Sequence, residues 1–359
     1  MKTILTIVGA RPQFIKTATV SRALAEKPSM KEILVHTGQH FDYNMSDIFF
    51  KELEIPNPDY TLGISGMSHG AMTGRMLEKL EELIRKTQPN WVLVYGDTNS
   101  TLAGALAAAK LDVPIAHVEA GLRSFNRSMP EEVNRVLTDH CADMLFTPTD
   151  TATANLQKEG LPPERIRQVG DVMFDAVLYY SRLAVRKSRI LNEHSLEKGK
   201  YVLATIHRQE NTDNRQRLVS IIEDLRLIGR EIKVVLPLHP RTRARLSEAG
   251  LAFSVNDLTL IEPVGYLDMI MLERGAAVIA TDSGGVQKEA YFHGVPCVTL
   301  RDETEWLELV TLGWNRLAPP GKSDIAKEVL AAVSTQGLDA KPYGNGQASH
   351  LIAEYLEKN

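Results

Sequence analysis

Short runs of apolar, largely β-branched residues recur along the chain, each followed by a longer stretch with helical spacing. In the first half they cover 3–9, 32–37, 91–95, 114–118 and 143–146; in the second they cover 201–205, 233–236, 259–261, 277–280 and 296–300. Most of these runs are apolar throughout rather than alternating, which suits parallel strands buried on both faces. Helices are expected over 67–87, 99–110, 131–141 and 217–228, with a helix-like end at 352–357. Strand–helix alternation of this kind reads as a doubly wound α/β sheet, and two series read as two such domains. The boundary is expected beside Gln168-Val169-Gly170-Asp171. That gives a first domain over 1–168 and a second over 169–344, with the last helix, 345–359, packing back on the first. The polar stretch 186–200 reads as a solvated helix and loop.

Composition narrows the partners. A formal net charge of −4 argues against nucleic acid as an electrostatic partner, while dispersed basic residues leave a small anionic ligand open. The two cysteines, Cys141 and Cys297, lie far apart, suggest no disulfide framework and fit a reducing cytoplasm. No apolar run is long enough for a signal segment or a membrane span, so a cytoplasmic protein is expected.

Ligands of open α/β sheets bind beyond the carboxyl ends of the strands, and every chemically suggestive motif falls at such an end. Gly9-Ala10-Arg11-Pro12-Gln13 leaves the first strand; Arg11 and Lys16 flank a helix entrance as cations for a phosphate or carboxylate, or simply belong to a capped helix with a solvated lysine. Asp97 of Gly96-Asp97-Thr98 stands where an N-cap would, and capping alone would explain it. Glu119 follows an apolar strand and needs a partner or solvent. Glu131, beside Glu132 at a helix start, is favoured there by the dipole in any case, and Arg123 and Arg135 could serve only to neutralise these acids.

In the second half His207 lies just past a strand in a polar loop. His239 and Arg241 follow another, where turn chemistry explains part of the pattern. The strongest local signal is Asp282-Ser283-Gly284-Gly285-Val286-Gln287-Lys288-Glu289. Here Ser283 can cap a helix, Gly284 and Gly285 let a ligand approach backbone N–H groups, and Glu289 suits a ribose diol.

Several chemistries are excluded. No Gly-x-Gly-x-x-Gly opens the first βα unit, so no resident dinucleotide is expected. Gly321-Lys322-Ser323 resembles the end of a P-loop, but Arg316 stands where its first glycine belongs. His36 and His40 form no metal pattern, and no Gly-x-Ser-x-Gly elbow is present. The chemistry therefore rests on carboxylates, histidine and cations, with no cofactor and no metal.

Eight blocks, in order, carry a resemblance over essentially the whole length: Gly9-Ala10-Arg11-Pro12, Gly38-Gln39-His40, Gly96-Asp97-Thr98, the 117–123 and 130–135 segments, His207-Arg208-x-Glu210, the 281–289 segment, and Tyr343-Gly344-x-Gly346-Gln347-Ala348. In these the chain resembles the non-hydrolysing UDP-N-acetylglucosamine 2-epimerase family. The resemblance implies the GT-B fold, two Rossmann-like doubly wound domains with a UDP-sugar in the interdomain cleft, and a homodimer. It implies catalytic roles for Asp97, Glu119, Glu131 and His207. Diphosphate contacts fall to Arg11, His207, Ser283 and Gly284, and the ribose to Glu289; Lys16, Arg135, His239 and Gly285 complete the candidate binding set.

The chemistry agrees with that set. A sugar C2–H has no adjacent carbonyl, so breaking the C1–O bond to UDP is what acidifies it. Elimination gives a 2-acetamidoglycal, and re-addition from the other C2 face inverts the centre, a sequence that needs carboxylates and a clamp for UDP.

Three departures from the commonest family pattern stand out: Gln13 in place of an acid, Thr304-Glu305-Trp306-Leu307 in place of Thr-Glu-Arg-Pro, and Asn99-Ser100 in place of threonines. Together they resemble the branch that converts UDP-2,3-diacetamido-2,3-dideoxyglucuronate to the mannuronate for O-antigen and lipopolysaccharide biosynthesis. Removing a negative charge at Gln13 is compatible with a uronate. UDP-N-acetylglucosamine is the alternative substrate; a GT-B glycosyltransferase or a non-catalytic nucleotide-sugar sensor is the alternative class.

Overall fold

The computed structural model describes residues 1–39, 53–248 and 258–359, without the side chains of Arg11, Pro240 and Arg241. His40 lies outside the described residues. The chain divides into two compact units, Met1–Leu178 with Lys341–Asn359, and Tyr179–Ala340.

The first unit carries seven parallel strands: β1 (Lys2–Val8), β2 (Met30–His36), β3 (Tyr60–Thr61), β4 (Trp91–Tyr95), β5 (Ile115–Val118), β6 (Met144–Thr147) and β7 (Ile166–Gln168). Their spatial order is β3-β2-β1-β4-β5-β6-β7, so the winding direction reverses between β1 and β4. Successive residues point to opposite faces. Leu5, Ile7, Val92, Val94 and Leu145 enter one core with Met76, Leu80 and Ile84 of the helix His69–Thr87. Ile4 and Leu93, on the other face, are also fully buried, which is why these strands read as unbroken apolar runs. The C-terminal helix Ala348–Lys358 belongs to this unit, where Tyr355 sets its ring edge-on to Trp91 and Phe146.

The second unit repeats the plan with β8 (Tyr201–Thr205), β9 (Lys233–Pro237), β10 (Thr259–Ile261), β11 (Val278–Thr281), β12 (Cys297–Thr299) and β13 (Asn315–Leu317). The order β10-β9-β8-β11-β12-β13 reverses between β8 and β11. Val202, Val234, Val278 and Val298 fill the core on one face; Leu203, Val235, Ile279 and Cys297 fill the core on the other.

The division between the units comes later than Gln168. Residue 168 ends β7, an edge strand of the first sheet, and the helix Val172–Lys187 that follows runs through the division at Leu178. Ile190 and Leu196, inside the stretch expected to be solvated, are buried and anchor it to the second unit's core.

Candidate active site

At the carboxyl ends of β1 and β4, where the first sheet reverses, lies a cavity of about 200 Å³. Gln13, Lys16, His69, Asp97, Asn99, Glu131 and Asn134 are among the residues that line it. Gly9 makes the turn out of β1; a Cβ there would come within 2.1 Å of Thr37 Oγ1 and 2.2 Å of Ser100 Oγ, so only glycine fits. Gln13, in the first turn of the helix Arg11–Ala25, ties that turn down. Its Oε1 accepts from the backbone N–H of Gly9 (2.8 Å) and Ala10 (3.1 Å), and its Nε2 donates to Tyr95 O (2.8 Å) and Thr101 Oγ1 (3.0 Å). Every polar position of this amide is therefore used inside the protein. An ionised carboxylate at this position could not donate to the Tyr95 carbonyl, and Gln13 also lines the cavity.

The three candidate acids stand in three different settings. Glu119, 8% exposed, pairs with Lys16 Nζ at 2.6 Å. It holds a left-handed backbone (φ 69°), a strain of about 1–3 kcal/mol for a non-glycine residue, immediately after β5. Asp97 does not cap the following helix; Thr98 does, accepting from Thr101 N. The Asp97 carboxylate instead accepts from Arg135 Nη2 at 2.6 Å, while its carbonyl accepts from Asn134 Nδ2. Glu131 is exposed in the first turn of the helix Pro130–Cys141, with no hydrogen bond or ion pair among the described residues.

The arginines do not simply neutralise the nearest acids in sequence. Arg135 bridges Asp97 and Glu132. Burial works to raise the Glu132 carboxyl, but the N–H groups of Ser124 and Phe125 and the Arg135 guanidinium outweigh it and hold the group below its ordinary value. Arg123 is committed to Asp139 (2.7 Å) and, through two bonds, to Glu159. Asp139 is fully buried; burial pushes its carboxyl up, and bonds and charge from His117 and Arg123 bring it below the usual range. His117 lies at the end of that chain, its Nδ1 2.7 Å from Asp139 Oδ1 and its Nε2 2.7 Å from Gly96 O.

In the second unit the reversal between β8 and β11 is organised by Asp282. Fully buried, it accepts from the N–H groups of His207 and Arg208 and from Asn211 Nδ2, so the loop after β8 is fastened to the end of β11. The His207 ring is half exposed, with Nδ1 3.3 Å from Asp282 Oδ1. Ser283 caps the helix Gly284–Phe292, accepting from Val286 N, and Gly284 and Gly285 form its first turn. Among the described residues a Cβ on Gly285 would meet Ser283 Oγ at 3.9 Å and nothing nearer, so there is room beside this turn. The end of the helix has the partial positive charge of an anion site. Glu289 lies one turn further on, buried against Tyr266, whose phenol is driven far above its ordinary value by burial first and then by the Glu289 charge. His239 is exposed just after β9. The side chain of Arg11 lies outside the described residues, as does that of Arg241.

Arg208 and Trp306 lie in the 207–210 and 304–307 blocks already singled out in the sequence, where neither was given a contact. Arg208 Nη2 and Glu305 Oε2 each lie 3.9 Å from where a Cβ on Gly284 would sit, and the two side chains pair at 3.8 Å, which puts an ion pair beside the helix end. Trp306 Nε1 donates to Gly284 O (2.9 Å), and Lys288 Nζ lies 4.1 Å from the centre of its ring. The tryptophan in the Thr304-Glu305-Trp306 block was a usable signal, because a buried indole N–H needs an acceptor.

Two doubly wound sheets, one with carboxylates around a cavity and one with a glycine-rich helix end at its reversal, define a GT-B-type protein suited to a nucleotide sugar. The family model for UDP-N-acetylglucosamine 2-epimerase matches residues 22–357. The chain is 54% identical over 359 residues to the UDP-2,3-diacetamido-2,3-dideoxy-D-glucuronate 2-epimerase of Pseudomonas aeruginosa, covering 99% of each. It is 52% identical over 357 residues to a UDP-N-acetylglucosamine 2-epimerase homolog of Methanococcus maripaludis, covering 98% of this chain and 99% of that one. Its structure matches that of Methanocaldococcus jannaschii UDP-GlcNAc 2-epimerase in complex with UDP-GlcNAc and UDP with a TM-score of 0.92, at 42% identity and full coverage of both. The chain belongs to the UDP-N-acetylglucosamine 2-epimerase family, the non-hydrolysing UDP-sugar 2-epimerases, and is an isomerase.

Proposed function

We propose that the protein inverts C2 of UDP-2,3-diacetamido-2,3-dideoxyglucuronate, giving the mannuronate for O-antigen and lipopolysaccharide biosynthesis. Full-length identity of 54% with an enzyme of that name supports the substrate. The observation that carries the chemistry is the set of carboxylates in and beside one cavity: Glu119 anchored by Lys16, Asp97 anchored by Arg135, and Glu131, whose carboxylate is unengaged among the described residues.

In the forward direction the C1–O bond breaks and UDP leaves with the electron pair. A carboxylate takes the C2 proton, leaving a C1=C2 double bond. In the return step a UDP phosphate oxygen attacks C1 and a proton is delivered to the opposite face of C2. Two faces require two proton carriers, which Asp97, Glu119 and Glu131 supply. Departing UDP is stabilised by the N–H groups at Gly284 and Gly285 with His207 and Ser283, and Glu289 takes the ribose. Lys16 and Arg135 act by fixing the acids, and the reaction uses no cofactor. The protein works as a cytoplasmic homodimer: the family resemblance supports the dimer, and the wide separation of Cys141 and Cys297 in sequence supports the reducing compartment; sedimentation at micromolar concentration tests the dimer.

The deciding experiment incubates the protein with the diacetamido uronate and, separately, with UDP-N-acetylglucosamine in deuterated water, following C2 by NMR. Deuterium at C2 of the product is expected with both, with the uronate turned over faster. Product that keeps its original C2 hydrogen defeats elimination, and faster turnover of UDP-N-acetylglucosamine reverses the substrate order.

A further inference from the structure

We propose that His117 and Asp139 form a positioning clamp that holds two strand ends, Gly96-Asp97 and Glu119-Ala120-Gly121, in one fixed relation, and that turnover depends on the bond from His117 to the Gly96 carbonyl. The proposal rests on the acid/base roles given above to Asp97 and Glu119.

His117 is fully buried in β5 and is absent from the cavity lining, so any effect it has on chemistry passes through its neighbours. Gly96 O can only accept, so Nε2 donates to it. That carbonyl belongs to the peptide plane joining Gly96 to Asp97, and Gly96 itself is left-handed (φ 63°). The bond therefore fixes the plane from which the Asp97 side chain springs. At the other ring nitrogen Asp139 Oδ1 accepts, while Asp139 Oδ2 takes the N–H of Gly121 (3.1 Å) and Arg123 Nη1 (2.7 Å). Gly121 closes the turn that begins at the strained Glu119, and a Cβ there would come within 2.3 Å of Ala152 O. Arg123 is braced in turn by two bonds to Glu159.

A single imidazole–carboxylate pair thus has one end on the backbone of Asp97 and the other on the turn that carries Glu119. Apolar side chains would fill the space between β5 and the helix Pro130–Cys141 without the desolvation that these groups incur. What the polar pair adds is geometric: the two acids cannot drift independently. Misplacement of a catalytic group by about 1 Å can cost about a hundredfold in rate.

The test compares His117→Gln with His117→Asn. A glutamine amide nitrogen reaches the place of Nε2 and can still donate to Gly96 O; an asparagine amide nitrogen overlays Nδ1 and keeps only Asp139. Wild-type activity on a UDP-sugar is established first, and an inactive wild type would defeat the epimerase reading rather than the clamp. With an active wild type, His117→Asn should lose about a hundredfold in kcat with KM within about threefold of wild type, and His117→Gln should recover to within about tenfold. Both should melt at similar temperatures and bind UDP equally. Equal activity of the two variants, slow or fast, overturns the proposal, as does a loss expressed in KM. Should neither variant fold, Asp139→Asn keeps an acceptor for Nδ1 but turns an amide nitrogen toward Gly121 N and Arg123; unchanged kcat in that variant also overturns it.

Discussion

Lys16 Nζ and Glu119 Oε1 meet at 2.6 Å across 103 residues of sequence, both side chains nearly buried. The sheet order explains the meeting. The helix after β1 starts beside the carboxyl end of β4, and β5 lies one strand further on, so its exit is within reach of a lysine in the second turn of that helix. Removing one member of a buried pair leaves the other uncompensated, at about 3–5 kcal/mol. Glu119→Gln should therefore lower both turnover and thermal stability, and a calorimetric scan beside steady-state kinetics checks both.

Glu131→Gln should separate the two effects. The side chain is exposed and makes no bond among the described residues, so only its interaction with the helix dipole is lost and stability should stay within about 1 kcal/mol of wild type. Turnover should still fall by about two to four powers of ten, the ordinary size of a general acid–base contribution. An unchanged rate would remove Glu131 from the catalytic set.

Gln13→Glu should harm the fold without favouring either substrate. It replaces the two donated bonds, to Tyr95 O and Thr101 Oγ1, with a carboxylate facing a buried carbonyl. The expected loss is about 1–3 kcal/mol or more. Side-by-side kinetics should show the ratio of uronate to UDP-N-acetylglucosamine activity unmoved; a selective loss of uronate turnover would return Gln13 to a role in specificity.

Acidification should strip stability through Asp139. Its folded pKa lies below the ordinary value of 3.8, so its contribution is complete above that value and is lost as pH falls through the folded one. Urea titrations at pH 7 and pH 3 should show Asp139→Asn about 3 kcal/mol less stable than wild type at pH 7, with the gap closing toward pH 3.

Ser283→Ala should cost the helix Gly284–Phe292 its cap, about 1 kcal/mol. The same change should weaken UDP binding measured by calorimetry. His207→Ala should weaken UDP binding while leaving the melting temperature nearly unchanged, since the half-exposed ring contributes little packing and the loop is held by backbone bonds to Asp282.

The central strands were legible because burial on both faces leaves unbroken apolar runs such as Trp91–Tyr95 and Tyr201–Thr205. The edge strands β3, β7 and β13 were not, although β10, equally short, was read from its Leu260-Ile261: Tyr60–Thr61 and Ile166–Gln168 are partly exposed and show no apolar run or periodicity to read. Asp97, Glu119 and Glu131 could be picked out because each follows a strand or opens a helix. Lys16 and Arg135 stood among the candidates too, but which acid each serves could not be read. Arg123 lies four residues after Glu119 in sequence yet serves Asp139 and Glu159, because the turn at Gly121 carries it away from the cavity. Gln13 read as a missing charge, and only the neighbouring strand, supplying the Tyr95 carbonyl, shows that position 13 needs a donor.

The return of residues 341–359 to the first unit makes residues 179–340 an insertion within it. On a ribosome, then, the second unit's sequence is complete while the first still lacks its last helix. Until that helix is made, Trp91 and Phe146 are without the ring of Tyr355. The first unit is begun first and finished last, so a chain truncated after residue 340 should bury its second sheet while its first stays open to protease.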